Sequence, residues 1–143
     1  MLPVLLDAVS ARSRAHVATL PGDAAHDHCH VWRVVATAER LAAIEGARLD
    51  VVRPAAWLHD CVVVPKDAPH RARASRLAAD EAVRLLAAWG FGALPLDEIA
   101  HAIAAHSFSA GIAPRTLEAR VVQDADRLDA LGAIGLARCL ALG

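Results

Sequence analysis

The stretch His28-Cys-His-Val-Trp-Arg-Val-Val-Ala-Thr-Ala-Glu-Arg-Leu-Ala-Ala-Ile-Glu45 repeats Val31, Val34, Val35, Ala38, Leu41 and Ala42 at helical spacing, with Arg33, Glu39 and Arg40 on other faces. Apolar residues three and four apart beside charged ones mark an amphipathic α-helix with one face in a core. Gly46 supplies its stop. The same reading extends outward in both directions. Residues from Leu2 to about Thr19 are rich in Ala, Leu and Val with a polar face, and Pro21-Gly22-Asp23 ends them. Pro54 suits the first turn of a short helix running to Asp60. Further helices are expected from Arg71 to Trp89, from Pro95 and Asp97 to about Ser107, from Thr116 to Asp124, and from Leu128 to Leu140. Thr116 has Ala119 in third place, so it lacks the acid of a full capping box. The triplet Val62-Val-Val64 resembles a strand, but no second strand is available to pair with it. It reads as a buried connection within Cys61 to Pro65. The fold class is all-α, with six to seven helices in a single domain over residues 1–143.

Composition narrows the function. The chain has 143 residues, 56% of them hydrophobic, and 15 basic side chains against 16 acidic ones. That is enough apolar material for a core, and near-neutrality with no basic stripe argues against a nucleic-acid polymer as partner. Charged residues interrupt every apolar run before the roughly 18–20 residues of a spanning helix, so no membrane role is expected. The opening Met-Leu-Pro-Val-Leu-Leu is broken by Asp7, which leaves a cytoplasmic location as the default. Cys29, Cys61 and Cys139 form no C-x-x-C pair. They suit neither a disulfide framework nor a zinc ribbon and read as reduced, semi-buried residues.

Eight His in a chain with no Tyr and two Phe are more than a core needs. His59-Asp60 closes the apolar run Pro-Ala-Ala-Trp-Leu. Neighbours on a helix point about 100° apart, so this pair can meet one ion only at a helix end, in a groove that other helices complete. His30 opens the preceding segment beside Val31, Val34 and Val35, and Asp124 lies in Val121-Val-Gln-Asp-Ala-Asp126. Imidazole and carboxylate together suit a divalent metal.

The order His30, His59-Asp60, Asp124 resembles the HD-domain superfamily of metal-dependent phosphohydrolases. The likeness to small stand-alone bacterial HD hydrolases, some of them nucleotide pyrophosphohydrolases, extends from His26 onward. It is carried by H-D-x-x-H-x-x-R-V (His26 to Val34), W-L-H-D (Trp57 to Asp60), the Lys66 to Ser75 loop, AIAAHSFSA (Ala102 to Ala110) and VQDADRLDALGAIGLAR (Val122 to Arg138). The resemblance implies an HD-domain helical bundle. It also implies a divalent cation, Mn²⁺ or Mg²⁺ in preference with Fe²⁺ as a further candidate, held by His30, His59, Asp60 and Asp124. Such a site suits hydrolysis of a small phosphorylated molecule by activated water, with a nucleoside triphosphate giving monophosphate and pyrophosphate as the leading substrate. Asp60 then shares in catalysis, and His106 is a candidate for phosphate binding or proton transfer. Lys66, Arg73 and Arg33 are candidates for substrate binding, with Arg71 open between substrate and solvent. Asp126 either polarises the attacking water or pairs with Arg127, and Asp27 either caps its helix or orients a His.

Other readings stay open. No acidic pair follows Asp60 within Cys61 to Lys66, unlike HD hydrolases of guanosine tetraphosphate, and the absence of Tyr removes the Gly-Tyr-Pro element of the cyclic-dinucleotide phosphodiesterases. A di-iron oxygenase on the same scaffold would draw on His101, His106 or both. These two are five residues apart, about 140° around a helix, and His101 reads as structural. A non-catalytic metal or nucleotide sensor would use the same site without turnover. Longer relatives continue past the GAIGLAR block with further helices, so the pocket of this chain is expected to lack some of their cover. The apolar Leu140-Ala-Leu142 suits self-association into a homo-oligomer.

Overall fold

The helix that carries most of the architecture is one whose apolar residues lie on nearly every side. In a computed structural model, which describes residues 1–21, 28–64 and 67–134, six α-helices run in order: α1 (Leu2–Val17), α2 (His28–Glu45), α3 (Leu49–Leu58), α4 (Ala74–Ala88), α5 (Leu96–Ala105) and α6 (Leu117–Asp129). No strand occurs among the described residues. Helix α3 buries Val51, Val52, Pro54, Ala55, Ala56, Trp57 and Leu58. A helix apolar all round must be enclosed by others, and α3 packs against α1, α2, α4, α5 and α6. Its C-terminal end, which carries His59 and Asp60, therefore points into the middle of the domain.

Small residues let the surrounding helices come close. Ala38 and Ala42 of α2, Ala78 and Ala82 of α4, Ala102 and Ala105 of α5, and Ala119 and Ala125 of α6 are all buried. Helix α2 has the bounds read from its sequence, and Gly46 ends it with a φ of 77°. That left-handed conformation costs a glycine little. Thr116 caps α6 as half of a capping box, its Oγ1 accepting from the Ala119 N–H at 3.1 Å.

Several expected boundaries move. Helix α3 begins at Leu49, so Pro54 lies inside it and not in its first turn. Val51 and Val52 are fully buried on the same stripe as Ala55 and Ala56, and that burial outweighs the missing proline donor. Helix α4 starts at Ala74, after a tight 3₁₀ turn at Arg71–Arg73. Helix α6 continues past Asp124 to Asp129, then enters a wide turn over Ala130–Ile134 in which Gly132 is non-helical. The rest of the expected last helix, with Leu140-Ala-Leu142 and Cys139, lies outside the described residues. The Val62–Val64 run is a loop, as read, but only partly buried, with Val64 inside and Val63 43% exposed. Cys29 is exposed, whereas Cys61 is buried. Burial pushes the Cys61 thiol up to about 12, which leaves it unreactive.

Leu58 is fully buried one residue before the His-Asp pair. Leu58→Ala should lower the unfolding free energy by about 2–5 kcal/mol, against about 1 kcal/mol for Thr116→Ala. Urea denaturation of the two variants beside the parent checks both values.

Candidate metal centre

Helices α3 and α5 end in the same way. A helix leaves its last carbonyls short of intrahelical donors, and in both cases the side chain of a His at the C-cap turns back to a carbonyl of the last turn. The His59 Nδ1–H donates to the Ala56 carbonyl at 2.7 Å, and the His106 Nδ1–H donates to the Ile103 carbonyl at 2.5 Å. A carbonyl can only accept, so each Nδ1 carries the hydrogen and each Nε2 presents a lone pair away from its helix. The next two carbonyls of α5 are met from neighbouring helices. Ser75 Oγ donates to Ala104 at 2.9 Å and Gln123 Nε2 donates to Ala105 at 3.1 Å. This holds the end of α5 between α4 and α6 and fixes where His106 stands.

His30, in the first turn of α2, is oriented by a carboxylate. Its Nδ1 is 2.7 Å from Asp129 Oδ2, while Arg33 grips the same carboxylate through Nε at 2.7 Å and a second guanidinium nitrogen at 3.2 Å. Arg33, Asp129 and His30 thus form a line that leaves the His30 Nε2 facing inward.

Two carboxylates complete the cluster. Asp126 Oδ1 lies 3.2 Å from His30 Nε2 and 3.4 Å from His59 Nε2. Asp60 Oδ2 lies 3.3 Å from His59 Nε2 and 3.6 Å from His30 Nε2, and Asp60 Oδ1 lies 3.6 Å from His106 Nε2. His59 is fully buried, and among the described residues its Nε2 has no hydrogen-bond partner. An unmet polar atom at that depth is costly unless something electropositive belongs beside it. Metal bonds of about 2.1 Å set neighbouring ligand atoms of one ion about 3.0–3.4 Å apart, close to the separations here. The ligand atoms of His30, His59 and Asp60 lie within 4.8 Å of one another, so the residues fit a divalent cation.

The electrostatics make the same demand. Burial disfavours a charged His30, yet Asp126, Asp60 and Asp129 outweigh it and push the imidazole up to about 10. Burial likewise opposes charge on His59, and Asp60 with Asp126 raises it well above the usual histidine range. Asp126 is disfavoured as an anion by burial, but His30 and His59 hold it well below the ordinary carboxylate range. The carboxylates require positive charge among them, supplied by protons or by a metal.

The structure does not bring Asp124 to this cluster. It is exposed on α6, and Asp126 is the carboxylate at the imidazoles. Two residues are about 200° of helix, so turning Asp126 inward turns Asp124 to solvent. Asp126 and Asp129, three apart, share the inner face. Arg33, expected to meet substrate, engages Asp129 instead. Arg73 is exposed on the 3₁₀ turn, and Arg71 is the member of that turn on the cavity, its guanidinium donating to the Val64 carbonyl at 2.8 Å. Lys66 and Asp27 lie outside the described residues. His101 stands apart from the cluster, its Nε2 accepting from the Arg115 N–H at 3.0 Å. Arg127, read from sequence only as a partner for Asp126, lines the cavity as well. The three-residue spacing from Asp126 to Asp129 was the available signal for the inner face of α6.

The cluster opens into a cavity of about 480 Å³ bounded by Val62–Val64, Arg71, Ser75, Ser107–Ser109 and Arg127. Comparison with known proteins accords with this geometry. A family model for the HD domain matches residues 28–131. The chain belongs to the HD-domain family. It is 37% identical over 117 residues to a Bacillus subtilis (strain 168) protein described as uncharacterized protein YpgQ, covering 79% of this chain and 55% of that protein. Among solved structures, a predicted HD superfamily hydrolase from an uncultured Thermotogales bacterium is 30% identical with a TM-score of 0.64, over 95% of this chain and 74% of that one. A Lactobacillus plantarum protein is 37% identical with a TM-score of 0.67, over 92% and 60% of the two chains. This HD domain thus spans little more than half the length of the Bacillus protein it matches. No helix among its described residues is long and apolar enough to cross a membrane.

Removing the carboxylate behind His30 should loosen the centre, since losing such a partner costs about 10–100-fold in metal affinity. Asp129→Ala should raise the Kd for Mn²⁺ by that range in a calorimetric titration, and an unchanged Kd would refute the role given to Asp129. Because the cation displaces protons from a cluster whose His30 is raised to about 10, affinity should strengthen as pH rises from 6.5 toward that value. Titrations at pH 6.5 and 8.5 with equal affinity would contradict this.

Proposed function

We propose that the chain is a divalent-metal-dependent phosphohydrolase that cleaves a phosphoanhydride of a nucleotide, releasing pyrophosphate and a monophosphate from a nucleoside triphosphate. The observation that carries this reading is the convergence of three inward imidazole Nε2 atoms and two carboxylates at one end of an open cavity that also carries two arginines. Membership of the HD family and the likeness to a hydrolase of that superfamily support it.

In this reading His30, His59, Asp60 and Asp126 hold one cation, Mn²⁺ or Mg²⁺ in preference to Fe²⁺. The set mixes nitrogen and oxygen donors and leaves one side open to the cavity, unlike a closed structural zinc site. The C-terminal ends of α3 and α5, both directed at the cluster, add partial negative charge that favours a cation. When bound, the cation acidifies water and polarises a phosphoryl oxygen. The residues of the chain do the remaining work. Arg71 and Arg127 offset the charge of the phosphates. His106, whose Nδ1 hydrogen is committed to Ile103, can exchange a proton only at Nε2, which faces Asp60 and the cavity. That placement suits it to taking up the proton released by the attacking water at Nε2 and passing it to the leaving phosphate oxygen. Asp129 acts through His30 and does not meet substrate.

Incubation of the Mn²⁺-loaded protein with a panel of nucleotides should yield pyrophosphate and nucleoside monophosphate, resolved by mass spectrometry. His59→Ala should lower the rate at least about 100-fold, as expected for loss of a metal ligand. The absence of any phosphate, pyrophosphate or monophosphate above that control would overturn the proposal.

A further inference from the structure

Phe108 is 87% exposed, the most exposed aromatic side chain among the described residues, and it lies on the wall of the same cavity that holds the cluster. An exposed aromatic ring in isolation needs no explanation. Two observations set this one apart. Its 3₁₀ turn, Phe108–Ala110, packs against both α4 and the Arg71–Arg73 turn, so the ring stands on a backbone braced by two elements. The Arg127 guanidinium also lies over the ring, 6.0 Å from its centroid. A cation over an aromatic ring is attracted to its face, and most of the ring's surface stays exposed where Phe108 lines the cavity.

We propose that Phe108 is the platform on which the planar base of a nucleotide stacks, making it the residue that prefers base-bearing phosphates over inorganic polyphosphate or sugar phosphates. The inference rests on the nucleotide reading given above. Stacking of a base on an aromatic side chain is sequence-tolerant, because every base offers a π-face. The platform therefore selects the class of ligand and is indifferent to which base it carries. Arg127 serves both ends of such a ligand. It backs the ring on which the base rests and supplies positive charge where the phosphates lie. The Val62–Val64 loop gives the cavity an apolar wall, which suits an aromatic base better than a hydrated polyphosphate.

The test uses the full Mn²⁺-loaded chain with a non-hydrolysable nucleoside triphosphate analogue and with inorganic tripolyphosphate as separate probes. Phe108→Ala should weaken binding of the analogue about ten-fold, within the range for loss of one stacked base, and should narrow the preference for it over tripolyphosphate by the same factor. Phe108→Trp should retain the affinity, and its added indole emission should be quenched by the analogue but not by tripolyphosphate. Equal weakening of both probes in Phe108→Ala, or no quenching specific to the analogue in Phe108→Trp, would overturn the inference. Analogue-specific quenching without any nucleotide hydrolysis by the parent protein would refute the phosphohydrolase reading and uphold the platform. Hydrolysis that keeps its full preference for nucleotides in Phe108→Ala would do the reverse.

Discussion

The constraint around which this domain is arranged is the need of Asp60 and Asp126 for positive charge at the buried end of α3. An apolar helix packed against five others brings His59 and Asp60 to the floor of the cavity, where two neighbouring carboxylates are only partly solvated and need positive charge beside them. The neighbouring helices answer that need with the imidazoles of His30 and His106, and Asp129 with Arg33 holds His30 in the required orientation. Each imidazole has its Nδ1 hydrogen committed elsewhere, and each Nε2 is directed at the carboxylates. The orientation is settled by two backbone carbonyls and by the Asp129–Arg33 ion pair.

The repeated use of a C-cap histidine links fold to chemistry. At the ends of α3 and α5 the same hydrogen bond, from a C-cap imidazole to a carbonyl of the last turn, anchors the ring and aims a ligand atom. The structural task of ending a helix and the chemical task of presenting a lone pair are thus met by one side chain. Around α5, Ser75 and Gln123 meet the next two carbonyls, so the position of His106 depends on α4 and α6 as well as on its own helix. The cavity beyond inherits a mixed character from its borders, with arginines from the 3₁₀ turn and α6, valines from the loop after Asp60, and an aromatic ring from the turn after His106.

Much of this was legible in the residues themselves. The spacing of Val31, Val34, Val35 and Ala38 specified α2 and its end before Gly46, because a single helix with a clear apolar stripe and a glycine stop involves few competing forces. His30 and the His59-Asp60 pair could be chosen by their places at helix ends. The choice of Asp124 failed for a reason local sequence could not resolve. Val121, Val122 and Ala125 define a buried face, but Asp124 and Asp126 flank it on opposite sides, and only contact with α2 and α3 decides which flank is inward. The partner of Arg33 was hidden for a similar reason. A guanidinium goes to the nearest well-placed acceptor, and Asp129 is distant from Arg33 in sequence.

Sequence alone determined that this chain is helical with histidines and carboxylates gathered at helix ends, because periodicity and caps are properties of neighbouring residues, and its motifs carried the resemblance to the HD family. The tertiary structure decided which acid of α6 meets the imidazoles, that His106 joins them and His101 does not, and that Arg71, Arg127 and Phe108 share one cavity. Those outcomes depend on the rotation of each helix about its own axis when packed, and that rotation is set by the sum of contacts with all its neighbours.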